Sequence, residues 1–168
     1  MGQINQKWDK VLELFFRFSS ESFTVREISK IIKVPSSTVQ RYLEKLRKDN
    51  LIDENKRAVI TPYFKFKKTF FIIDKIYTSG LIKYLEENLI PEAIILFGGV
   101  RKGEYDNESD IDLFILTTKK ADLDLKIFEK KLGHEIQLFV KKDINELPVH
   151  LFNNVVNGIK LSGYIKIK

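Results

Sequence analysis

The chain has 168 residues, no Cys, 43% hydrophobic residues and a formal net charge of +6. That length holds one large domain or two small ones, and the lack of thiols excludes disulfides and thiolate metal sites and suits a reducing interior. No apolar run approaches the ~20 residues a membrane-spanning helix needs, and the N-terminus carries no signal-peptide pattern, so the sequence predicts a soluble, cytoplasmic protein with no membrane partner.

The charge is uneven. Residues 1–68 hold 15 Lys/Arg against 8 Asp/Glu, whereas residues 69–168 hold 14 against 15. A basic front half joined to a near-neutral back half predicts two domains with different partners. In chain order, apolar residues at helical spacing (Trp8, Val11, Leu12, Phe15, Phe16) predict an amphipathic helix over residues 4–18. Residues 19–22, Ser-Ser-Glu-Ser, break it. Thr24 followed by Glu27 is a capping box, opening a second helix through Ile28, Ile31 and Ile32. After a turn at residues 34–37, Ser36 or Ser37 can cap a third helix through Val39, Tyr42, Leu43 and Leu46. Residues 51–52 and 58–61 then flank a polar tip, which reads as a β-hairpin.

Three helices with a tight turn before the third, then a hairpin, resemble the winged helix-turn-helix of transcription regulators over residues 5–62. The resemblance implies DNA binding. The third helix would offer Ser36, Ser37, Thr38, Gln40 and Arg41 to the major groove, with Lys45, Lys48, Lys56 and Arg57 on the phosphate backbone. Lys65, Lys67 and Lys68 would extend that basic surface.

Residues 64–77, rich in Phe, Ile and Lys, predict a connecting helix with room for a homodimer contact. The expected division is a winged helix at 1–63, a connector at 64–78 and a second domain at 79–168. In that domain a helix over 81–88 ends before Pro91 and leads into an apolar strand at 93–97.

The strand stops at Gly98-Gly99. A basic, turn-rich segment follows, and a second apolar run carries Asp110 and Asp112 at its start. A side-chain period of two puts both carboxylates on one face, about 7 Å apart along the strand, where they can share a hard cation with phosphate and water. The two glycines let backbone N–H groups approach a phosphate.

Gly98-Gly99, ten residues, then Asp110-Ile111-Asp112 resembles the Gly-Ser-x10-Asp-x-Asp signature of minimal nucleotidyltransferases of the polymerase β type. Ser109, Arg101 and Gly103 sit where that family places Ser, a basic residue and a small one. Gly99 departs from the pattern, because the family's Ser offers a hydroxyl to the phosphates. The resemblance implies an α/β (α+β) fold, a small mixed sheet flanked by helices, and nucleotide contacts from Gly98, Gly99, Arg101, Lys102 and Ser109. It also implies Mg²⁺ (or Mn²⁺) on Asp110 and Asp112, and a third carboxylate on the next strand.

Residues 117–120 read as a loop, 122–132 as a helix stopped by Gly133, and 134–140 as a third strand with Glu135, Gln137 and Phe139 on one face. Glu135 is the candidate third catalytic carboxylate, with Gln137 the alternative occupant. His134 and His150 are expected to be solvated. A turn with Asp143 and Glu146, a helix over 149–156 and an extended segment over 161–167 complete the chain.

The resemblance implies transfer of a nucleotidyl group, most simply adenylyl from ATP, to an acceptor hydroxyl. The chain is short for an acceptor-binding domain of its own, so a separate helical partner protein, as for antitoxins of this family, is the expected acceptor. The alternative is a catalytically impaired transcription regulator that senses a nucleotide or dimerises through this domain.

Overall fold

The computed structural model describes residues 3–166, with side chains from residue 7 onward. The described chain divides into two compact units, residues 1–66 and 67–168, and the fold is mixed, with eight helices and one four-stranded sheet.

In the first unit, α1 (Gln3–Arg17), α2 (Val25–Ile32) and α3 (Ser36–Lys48) have the predicted order. The capping box forms: the Glu27 amide donates to Thr24 Oγ1 at 3.2 Å, and the Thr24 amide to Glu27 Oε2 at 2.7 Å. The Thr24 amide and, at 2.8 Å, the Thr24 hydroxyl both donate to Glu27 Oε2 and hold the Glu27 carboxyl below its ordinary range. At α3 the expectation is corrected. Pro35 is the N-cap and neither Ser36 nor Ser37 caps, since both already lie inside the helix. The Pro35 carbonyl instead accepts from Thr38 and Val39.

The hairpin is minimal. Ile52 bridges Ala58, and Arg57 bridges Ser22, so the break after α1 supplies a third short strand. Asp53 closes the tip by accepting from the Arg57 amide at 2.8 Å. The core is aromatic: Phe15 lies edge-on to Phe23 at 5.8 Å and Phe16 to Phe64 at 5.2 Å, and Val11, Ile28, Val39 and Leu46 are fully buried.

Helix α4 (Pro62–Ser79) begins at the end of the first unit and continues into the second, followed by α5 (Leu81–Leu89). The sheet has the order β3-β2-β1-β4, made of β1 (Ala93–Leu96), β2 (Ile111–Leu116), β3 (Ile136–Lys141) and β4 (Ile159–Gly163). β1 is antiparallel to β2 and β4, and β2 is parallel to β3. Both central strands are buried, as their continuous apolar runs require.

One face packs Ile94, Leu96, Ile111, Leu113 and Ile115 against α4, α5 and α7 (Lys126–Leu132). The other packs Ala93, Ile95, Phe97, Phe114 and Leu116 against Ile144 and Leu147 of a 3-10 turn and Val155 of α8 (Val149–Val156). Helices thus cover both faces.

Several boundaries differ from expectation. α7 starts at Lys126, not 122, because Asp124 Oδ1 caps the Lys126 amide and the Asp124 amide donates to Tyr84 Oη. β2 starts at Ile111 and β3 at Ile136, which leaves Asp110 and Glu135 just ahead of their strands. The last strand covers 159–163, where Gly163 turns at φ +69°; the end of the expected extended segment, Ile167, lies outside the described residues.

Candidate active site

Phe97 ends the β1 side of the site, its amide donating to the Asp112 carbonyl at 3.1 Å. Where a bare turn is expected, Gly98 opens a one-turn helix, α6 (Gly98–Arg101), with φ +71°. A Cβ on Gly98 would lie 2.0 Å from Asp112 Oδ2. The Asp112 carboxylate therefore rests directly on the Gly98 backbone, and only glycine permits both the left-handed φ and that approach. Gly99 is different: it is exposed, and an added Cβ would meet nothing nearer than the Glu104 carbonyl oxygen at 3.6 Å. A serine fits there sterically.

Asp110 is exposed and Asp112 half-buried. Burial first, and then the negative charge of Asp110, raise the Asp112 pKa above the usual carboxylate value. The two carboxylates are thus close enough to repel, and both are hard oxygen donors. Such a pair suits Mg²⁺, which takes one or two carboxylates and completes its shell with phosphate and water. Arg101 is half-buried at the end of α6 and Lys102 is exposed just beyond it.

On the neighbouring strand, Gln137 is the register partner of Asp112, so its side chain leaves the sheet on the same face. Glu135 lies ahead of β3, exposed, with its carbonyl accepting from the Ile111 amide at 2.8 Å. Among the described residues no three acidic or histidine side chains converge on one metal position. Glu135 instead lines a cavity of about 460 Å³ together with Asp110, Ser109, Glu129 and His134.

Several side chains have roles the sequence reading did not assign. Ser109 does not present its hydroxyl outward: Oγ donates to Asp106 Oδ1 at 2.8 Å and accepts from the Asp106 amide at 2.9 Å. The Ser109 hydroxyl first, and then the Glu108 amide, donate to the Asp106 carboxylate and hold its pKa down. His134 is buried, not solvated; its Nδ1 lies 2.7 Å from the Ser109 carbonyl oxygen, which can only accept, so Nδ1 carries the proton. Lys68 also differs from expectation, being 2% exposed and no part of a basic surface. The signal was present in its position: Phe64, Lys68, Ile72 and Ile76 recur every fourth residue and form the buried stripe of α4.

In the first unit, Ser36, Ser37, Gln40, Arg41, Lys45 and Arg57 are exposed, while Thr38 and Lys56 are half-buried. Lys45 Nζ sits 4.7 Å over the Trp8 ring, which draws that ammonium toward α1. No described helix is long and apolar enough to cross a membrane.

A paired-carboxylate site between two antiparallel strands, facing a glycine turn and carried on a mixed sheet that follows a helix-turn-helix unit in chain order, defines a two-part protein. The chain belongs to the nucleotidyltransferase domain family, whose model matches residues 78–166. Residues 18–74 match the model of the sugar-specific transcriptional regulator TrmB. No curated protein matches the chain.

Proposed function

We propose that the second unit transfers an adenylyl group from ATP to an acceptor hydroxyl, with Mg²⁺ (or Mn²⁺) held by Asp110 and Asp112, in a protein whose first unit binds DNA. The observation that carries this is the seating of the Asp112 carboxylate on the Gly98 backbone, which brings a metal-binding carboxylate to a turn whose N–H groups suit a phosphate. Arg101 and Lys102 follow on the same turn and neutralise phosphate charge. Asp110 and Asp112 would hold the metal, which would supply Lewis-acid stabilisation of charge on the phosphoryl oxygens.

The acceptor oxygen attacks the α-phosphorus, the α–β bridging bond breaks, and pyrophosphate leaves. Gln137, beside Asp112, has no basic carboxylate to take the acceptor proton. Glu135, lining the cavity next to Asp110, is the general base in this reading. The acceptor is a hydroxyl on a separate helical partner protein, the antitoxin arrangement. Tyr63, Phe66, Phe70 and Tyr77, which are 52%, 58%, 62% and 47% exposed on α4, support a homodimer.

Two observations favour a second reading, a regulator that binds a nucleotide without transferring it: Gly99 in place of a serine hydroxyl, and a neutral Gln137 beside Asp112. Titration calorimetry with Mg²⁺ and ATP on wild type, Asp110→Asn and Asp112→Asn, followed by label transfer from α-labelled ATP, separates them. Metal-dependent binding lost in both variants, with label moved to a partner, supports the transferase. Binding without transfer supports the sensor, and no binding in wild type overturns both.

A further inference from the structure

We propose that Lys68 is a positioning residue, whose ammonium group together with the Thr69 hydroxyl clamps the segment 100–106 that carries Arg101 and Lys102. This deepens the reading above and rests on it for its consequence for nucleotide. The clamp has several bonds, all within the second unit. Lys68 Nζ donates to the Tyr105 carbonyl and lies 4.5 Å from the centre of the Tyr105 ring. The Tyr105 hydroxyl returns a bond to the Lys68 carbonyl at 3.1 Å. Thr69 Oγ1 lies 3.2 Å from the Val100 carbonyl oxygen and 3.3 Å from that of Arg101.

The two neighbours of α4 thus hold both ends of the turn that follows Gly99. From Tyr105 the order passes on toward the aspartates: Asp106 binds the Ser109 hydroxyl, and the Ser109 carbonyl receives the His134 proton. The negative charge of Asp106 acts on Lys68 and favours the ammonium form.

Chemistry explains why the residue is a lysine. The stripe it interrupts is otherwise apolar, and a methionine would fill the same volume without a buried charge. Burial lowers the Lys68 pKa to about 8, a standing cost at neutral pH. A group kept at that cost does something a methyl-ended chain cannot, and what it does here is bond the Tyr105 carbonyl and face the Tyr105 ring. The amides it would steady are identifiable, because Lys102, Gly103 and Glu104 donate to the carbonyls of Gly99, Val100 and Gly99 in turn.

The test compares wild type with Lys68→Met and, as a milder variant, Thr69→Val, by amide hydrogen exchange in the nucleotide-free protein and by calorimetry with Mg²⁺ and ATP. Exchange at Lys102, Gly103 and Glu104 should speed up by about tenfold on loss of a charge-assisted bond. Amides of β2 should be unaffected and the melting temperature should not fall. ATP affinity should drop several-fold. A residue that only fills the core would behave otherwise, lowering the melting temperature and loosening the unit throughout. Unchanged exchange at those amides in both variants overturns the clamp, and faster exchange with unchanged ATP affinity overturns its consequence for nucleotide. A wild type that binds no ATP overturns the transferase reading by itself, and the exchange result still decides whether Lys68 holds the segment.

Discussion

Asp112 illustrates a site residue that works against stability. Its pKa is raised by burial and by Asp110, so between the ordinary carboxylate value and the raised one the folded state binds more protons than the unfolded state. Stability contributed by this group therefore falls as pH rises through that window and stays lower above it. Asp112→Asn removes the charge, and we expect the melting temperature at pH 7 to rise by about 1–2 °C, because solvent screening of this half-buried group weakens the effect. Metal-dependent ATP binding should be lost in the same variant. Calorimetric melts at pH 4 and pH 7 check the sign, since the advantage should shrink at the lower pH. The glycines beside it should respond in opposite ways. Gly98→Ala puts a Cβ on the Asp112 carboxylate and forces a left-handed φ on alanine, costing about 1–3 kcal/mol and abolishing binding. Gly99→Ser makes only ordinary contact with the Glu104 carbonyl oxygen at 3.6 Å and should tighten ATP binding by restoring a hydroxyl donor; a weaker affinity in the titration would contradict the phosphate assignment of this turn.

At the scale of elements, most helices and strands follow from period and punctuation. α8 begins after Pro148 and covers 149–156 as expected, and the alternation of Gln137 and Phe139 against Ile136, Leu138 and Val140 survives in β3. One misplaced boundary arises because a polar side chain captured a backbone group the pattern would assign to the element. Asp124 does this ahead of α7. The end of α5 is a weak point of a different kind. Ile90 is its C-cap in the left-handed region at φ 43°, and its side chain is 70% exposed. A β-branched residue pays about 1–2 kcal/mol for that conformation, and little burial offsets it. Ile90→Gly should raise the melting temperature by about 2–4 °C, measured by circular dichroism; no rise would place the strain elsewhere.

For the whole molecule, the asymmetry of charge has a measurable consequence. The exposed Arg41 on α3 and Arg57 on the wing belong to the half with the positive excess. Each phosphate contact contributes about 0.9 to the slope of log affinity against log salt. Replacing both by Ala should lower that slope by about 2 on any duplex, with the fold retained. Fluorescence anisotropy over a salt series measures it, and an affinity indifferent to salt in wild type would recast the first unit as a protein-binding module.

The sequence by itself determined the two-part plan, the helix-turn-helix order, the buried central strands and the placing of Asp110 and Asp112 after a glycine turn. Each of these depends on local periodicity, capping chemistry or spacing along the chain, which a sequence states directly. Tertiary structure alone decided which residues meet across it. It set Gln137 rather than Glu135 opposite Asp112 through the parallel register of β2 and β3, laid the Asp112 carboxylate on Gly98, and buried Lys68 against Tyr105 and His134 against Ser109. Register and burial arise from contacts between residues 14 to 37 positions apart in these cases, and side-chain identity carries no record of that partner until the sheet and helices close around it.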